Sequence, residues 1–271
     1  MKQFYFLFLF VWLIACEDNS FDFETTDTIV IEAYIHNGNP VTEINISQLI
    51  PLISDSTESY EVNDADVFIE WNDQTYSLIP GTEDGVYIYP DDDLEINVGD
   101  SYTLSVDYLV KTTISTTRVP NVPTGLALNK DELEIPVIDD FTDLFNLPDL
   151  DPIEVYWDNP GGNYHYVVIE NLENNPEEIN QLDLDFDRSN FFLVTPPTNL
   201  DVYNLAPGDI TQFGTHRVIV YRVNQEYVDL YDSSEQDSRN LTEPRSNIEN
   251  GVGIFTAFSS DTTFFEIKKD F

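Results

Sequence analysis

Residues 29–35 read Ile-Val-Ile-Glu-Ala-Tyr-Ile. Ile29, Ile31, Ala33 and Ile35 alternate with Val30, Glu32 and Tyr34. A period of two puts one face of an extended strand in a core and the other toward polar surroundings. His36-Asn37-Gly38-Asn39-Pro40 follows and carries turn chemistry. This strand-then-turn rhythm continues. Val41, Ile44 and Ile46 make a second strand, and Ser54 to Asp64 reads as a polar loop. Val67 to Trp71, Thr75 to Ile79, Gly85 to Tyr89, Tyr102 to Val106 and Thr112 to Val119 follow as further strands. Short strands separated by frequent turn signals predict a β-sandwich over residues 28–119.

Residues 120–152 carry five prolines and many acids, including Asp139, Asp140, Asp143, Asp149 and Asp151. They read as a linker that packs in part on its neighbours. Residues 153–271 open with a hairpin: Ile153 to Trp157, the turn Asn159-Pro160-Gly161-Gly162, then Tyr164 to Ile169. His216 to Val223 alternates as a core strand. Asn224 then opens a short helix through Tyr227, Val228, Leu230 and Tyr231. Gly251 to Phe255 and Phe264 to Ile267 read as two closing strands. The expected fold is mostly β: a sandwich, a linker, and a second β-rich domain with one short helix.

The chain has 271 residues, 11 basic and 51 acidic, for a formal charge of −40, with 41% hydrophobic and 13% aromatic residues. That apolar content supports a packed core. The charge repels nucleic acid phosphates, and no basic run offsets it, so no nucleic acid partner is expected.

The single cysteine, Cys16, sits just after an uncharged run from Phe4 to Ile14, which Lys2 precedes. Eleven residues are too few to span a bilayer and match the apolar core of a secretory signal. Leu13-Ile14-Ala15-Cys16 resembles the lipobox of bacterial lipoproteins. That resemblance implies a signal peptide over residues 1–15, lipid on Cys16, and anchorage without a membrane span. Residues 16–27 form an acidic tether through Glu17, Asp18, Asp22 and Glu24. The tether resembles the signal that carries Bacteroidota lipoproteins to the outer face of the outer membrane. A solvated acidic linker is the alternative.

Two further resemblances bear on the fold and role. Ala65 to Ile69, Gly85-Val86-Tyr87 and Val98 to Leu104 resemble small extracellular sandwiches of the carboxypeptidase-regulatory or transthyretin-like kind. Three features resemble a family of Bacteroidota outer-membrane lipoproteins that carry a domain of unknown function. They are Pro244 to Phe255, the strand–helix phrase Val218 to Asp232, and residues 29–35 shortly after the cysteine. Members often occur beside TonB-dependent receptors. The resemblance implies an accessory role in uptake or at the cell surface, and no known reaction; capture of a ligand or docking on such a receptor is the expected work.

Candidate chemistry is sparse. His36, His165 and His216 have no partner at metal-ligand spacing, and each reads as a turn or strand histidine. There is no nucleophile elbow, phosphate-binding loop or dinucleotide glycine pattern. Asp183, Asp185 and Asp187 alternate with Leu184 and Phe186, so a strand would place three carboxylates on one face. Three hard oxygen donors make a calcium candidate. A solvated strand edge that resists pairing is the favoured reading, here and for Asp91-Asp92-Asp93. Trp71, Trp157 and Tyr164 suit either a ligand platform or a core, with the core favoured for the tryptophans. Asp55-Ser56-Thr57 and Asp261-Thr262-Thr263 resemble the Bacteroidota O-glycosylation acceptor. The expected protein is a non-enzymatic lipoprotein of the outer membrane that faces the exterior. It needs no cofactor beyond its lipid, and its expected partner is a TonB-dependent receptor. A surface adhesin or a polymer hydrolase is the alternative.

Overall fold

The computed structural model describes residues 28–49, 60–146, 148–182, 190–234 and 245–270. The signal segment, Cys16, the tether acids Glu17, Asp18, Asp22 and Glu24, the calcium candidates Asp183, Asp185 and Asp187, and Asp55-Ser56-Thr57 lie outside the described residues.

The first half contributes β1 (Ile29–His36), β2 (Ile44–Gln48), β3 (Tyr60–Glu61), β4 (Asp66–Trp71), β5 (Gln74–Pro80), β6 (Val86–Ile88), β7 (Ser101–Tyr108) and β8 (Lys111–Arg118). Then come β9 (Thr124–Leu128), β10 (Glu132–Pro136), β11 (Ile153–Asp158), β12 (Tyr164–Asn171), β13 (Phe192–Val194), β14 (Val202–Leu205) and β15 (Gly214–Val223). The helix α1 (Gln225–Ser234) and a closing strand β16 (Val252–Asp270) complete the described chain. The fold is mostly β and sandwich-like with one short helix, as expected.

The opening stretch behaves as its alternation predicts. Ile29, Ile31, Ala33 and Ile35 are buried at 0–1% exposure. They pack with Ile44 and Ile46 of β2 and Phe255 and Ala257 of β16, against Val67, Ile69, Leu104 and Val106 of β4 and β7. A second core joins Val167, Ile169, Val218, Val220, Phe265 and Ile267 to Ile153, Val155 and Trp157. There a sheet containing β12, β15 and the end of β16 is covered by the three-stranded sheet β14-β11-β9.

One expectation gains detail and another needs correction. The segment 120–152 packs on its neighbours through two strands. It holds β9, which pairs with β11, and β10, which pairs in parallel with β16. In β10 the acids are the exposed half of an alternation whose other half, Leu133 and Ile135, is buried. The two closing strands are one strand of 19 residues. At roughly 3.3 Å per residue it is about 60 Å long. Its first part runs parallel to β1, from Val30↔Val252 to His36↔Phe258. Its second part runs antiparallel to β15, from Arg222↔Ser259 to Gly214↔Ile267. The last strand therefore belongs to both cores.

The segment before β16 closes the first sandwich. The backbones of Ile114 in β8 and Glu249 exchange two hydrogen bonds, of 3.2 and 2.8 Å. Asn247 replaces a missing strand partner. Its Nδ2 donates to the Phe255 carbonyl at 2.7 Å, and its Oδ1 accepts from the Phe255 N–H at 3.0 Å. The inward face of β8 is polar, and its hydroxyls are matched: Ser115 Oγ donates to the Asn247 carbonyl at 2.8 Å. Buried hydroxyls without such partners cost stability.

Candidate functional site

The helix α1 begins right after Asn224, as expected. The Asn224 side chain also fastens the two halves. Its Nδ2 donates to Arg118 O at 2.9 Å and to Thr117 Oγ1 at 3.2 Å, both on β8. Two residues on, Glu226 Oε1 accepts from Thr117 Oγ1 at 3.0 Å and from Thr256 Oγ1 at 3.2 Å. Ser259 Oγ donates to Pro120 O at 2.6 Å. These bonds converge where β8 leaves the first sandwich, β15 passes into α1, and β16 crosses between the cores.

An aromatic cluster seats the helix. Tyr166 and Val168 of β12, Val223 of β15, Val228 of α1 and Phe258 of β16 form a third buried group, with Tyr34, Tyr221 and Tyr227 against it. Tyr166 stacks on Tyr221 with ring centroids 4.8 Å apart. Burial raises the Tyr166 hydroxyl pKa, and burial reinforced by Glu32 pushes that of Tyr34 up to about 12. These tyrosines stay protonated and act as packing with a polar tip.

Beside this junction lies a cleft of about 230 Å³. Gly99, Arg118 and Val119 line it from the first sandwich, and Pro120 and Asn121 from the exit chain. Asn163, Arg222, Val223 and Asn224 line it from the second half. Its charged lining residues are both basic, in a chain of formal charge −40. Arg217, Arg245, Lys268 and Lys269 each pair with a carboxylate. Among the described residues, Arg118 and Arg222 pair with none, and neither do Lys111 and Lys130, which lie away from the cleft. The Nε of Arg118 donates to Gly99 O at 2.8 Å, leaving the guanidinium end for other acceptors. Arg222 is partly buried, and burial lowers its pKa. The nearby Asp100 carboxylate accepts from Trp71 Nε1 at 3.0 Å.

Arg222 stands directly across the β12–β15 ladder from His165. His165 is 1% exposed and packs at 5.6 Å against Trp157. Its Nδ1 and the Trp157 Nε1 are buried without a hydrogen-bond partner among the described residues. Burial, aided by the Arg222 charge, lowers the His165 pKa to about 4. An unfolded histidine titrates near 6.5. On acidification the unfolded chain therefore gains a proton before the folded chain does. The stabilisation from keeping His165 neutral is complete above pH 6.5 and is lost progressively down to pH 4, by about 3 kcal/mol. Between pH 7 and pH 4, wild type is expected to lose about that much more stability than His165→Leu in urea titrations. The comparison cancels the many carboxylates the two proteins share. Equal losses would show that His165 titrates normally.

The other histidines are structural. His216 is fully buried and stacks on Phe265 at 4.9 Å, with Nδ1 3.0 Å from Gly214 O. Burial lowers its pKa and that of His36, which packs on Phe258. Trp157 is core, and Trp71 is partly buried over Tyr102. Tyr164 edges the third cluster. Asp91, Asp92 and Asp93 lie on an exposed loop, where Asp93 accepts from Tyr89. Thr262 is exposed within β16. Among the described residues, no group of three metal-ligating side chains converges, and no helix is long and apolar enough to cross a membrane. Sequence reading missed the cleft because Arg118 and Arg222 are 104 positions apart. The available signal was that the chain has only 11 basic residues, and two of them end or nearly end predicted strands.

Among solved structures, the chain is similar to a segment of two fibronectin type-III domains from chicken tenascin. The identity is 9%, over 88% of this chain and 97% of that one, with a TM-score of 0.25. It is also similar to the FN1–FN3 domains of chicken CNTN1, at 12% identity over 88% of this chain and 66% of that one, with a TM-score of 0.29. No curated protein matches. The family described as "Domain of unknown function (DUF4249)" matches residues 17–263, and the chain belongs to it.

Proposed function

We propose that this DUF4249 member is a lipid-anchored, non-enzymatic binding protein on the exterior of a Bacteroidota outer membrane. It serves there as a ligand-binding or accessory subunit of a TonB-dependent uptake system. One observation carries the reading: the order of features at the N-terminus. A lipobox ends at Cys16, an acidic tether follows, and the first strand starts at Ile29. The family match begins at Glu17, one residue past the lipidation cysteine. Removal of residues 1–15 would thus leave the whole family region on the lipid. The junction cleft supports a binding role, because it offers two arginines without carboxylate partners in a chain of charge −40.

Intact cells treated with a protease that cannot cross the outer membrane are expected to lose the protein. Protection until lysis would place it inside and end the surface reading. A surface adhesin shares this location and differs in lacking a transporter partner.

A further inference from the structure

We infer that the junction cleft is an oxyanion site, one that holds a carboxylate or phosphate group of the ligand between Arg118 and Arg222. This rests on the reading of the chain as a binding protein and adds the ligand's chemistry. The guanidinium group is the donor best matched to a planar carboxylate or a phosphate, since its N–H groups form parallel bonds to two oxygens. Both arginines line one cleft, from opposite halves of the molecule. Asn121 and Asn163 also line the cleft, and the Asn163 Nδ2 donates to Asn159 Oδ1 at 3.4 Å.

Size narrows the ligand. Pockets for whole drug-sized molecules run from about 300 to 1,000 Å³. At about 230 Å³ the cleft suits a small anion, or one anionic group of a larger ligand whose remainder stays outside.

Electrostatics favours the same assignment. The net charge of the chain repels anions at long range, but at physiological salt that repulsion is screened beyond about 8 Å. Arg118 and Arg222 are the charged residues among those that line the cleft. Arg222 has shed part of its hydration without gaining a carboxylate, so a bound oxyanion would supply the missing counter-charge.

The full chain, purified in detergent, would be titrated calorimetrically with inorganic phosphate and, separately, with acetate. Sodium chloride would hold the ionic strength constant. Wild type is expected to bind at least one of the two saturably at a single site, and the tighter of the two tells whether the natural group is a phosphate or a carboxylate. Arg222→Gln and Arg118→Gln are each expected to weaken binding at least tenfold, while Lys130→Gln, on a distant loop, leaves it unchanged. If Arg222→Gln misfolds by circular dichroism, Arg222→Lys keeps the charge, loses the fork, and is expected to weaken binding severalfold. Absence of saturable binding to both anions overturns the proposal, as does binding that the arginine variants leave intact. Surface location and transporter association are read independently of these titrations. A failed titration with a transporter still bound rejects the oxyanion site and spares the uptake reading.

Discussion

Cys16→Ala is expected to move the protein out of the membrane fraction entirely. The argument is physical. Each buried methylene contributes about 0.8 kcal/mol, and one acyl chain holds only marginally while two or more hold firmly. With an acidic tether and a charge of −40, the polypeptide has no electrostatic attraction to an anionic leaflet. Among the described residues, no helix offers a membrane span. The lipid on Cys16 is therefore the one anchor the account invokes. Fractionation of cells expressing wild type and Cys16→Ala checks it, with the lipid mass on the wild-type N-terminal peptide measured in parallel. A variant that stays with the membrane would require a different anchor.

Gly253→Ala is expected to destabilise the fold by about 4 kcal/mol. Gly253 has φ +113, a conformation that side chains resist, and an added Cβ would lie 2.0 Å from the Ile31 carbonyl oxygen. That oxygen belongs to β1, the register partner of Gly253 in the strand both cores share. Neither backbone can yield without opening the β1–β16 pairing. Gly162→Ala is the control. Gly162 has φ +61, but an added Cβ there meets nothing within 4 Å, so only the conformational cost of about 1–2 kcal/mol remains. Urea unfolding of both variants separates the two effects. Equal losses would mean that β1 and β16 do not approach this closely at Gly253.

What the sequence made legible, and what it hid, follows from how side chains are covered. β1, β4 and β7 show their period because each strand has one clear core face. The middle of β16 does not. Residues 254–259 are buried without interruption, since the first core covers one face while the aromatic cluster and α1 cover the other. Further along, Ser260 and Asp261 look like a break, yet they pair with Tyr221 and Val220. β8 raised the opposite difficulty. Its inward residues Thr113, Ser115 and Thr117 are polar, and their partners on 247–250 and Glu226 lie more than a hundred positions away. The motif at 244–255 was visible as a family signature, but its physical content was not. Asn247 stands in for a strand, Glu249 closes the sandwich, and Gly253 admits the β1 carbonyl. The cleft was hidden for the same reason as these contacts. It exists only where the shared strand brings the two halves together.

The most direct test of the account is to pull the protein from gently solubilised outer membranes of a Bacteroidota host and identify what accompanies it by mass spectrometry. The account predicts that a TonB-dependent receptor copurifies with wild type and is absent from the Cys16→Ala preparation. A lipidated, surface-exposed wild-type protein that emerges with no barrel partner would contradict the uptake reading and favour an adhesive or structural role.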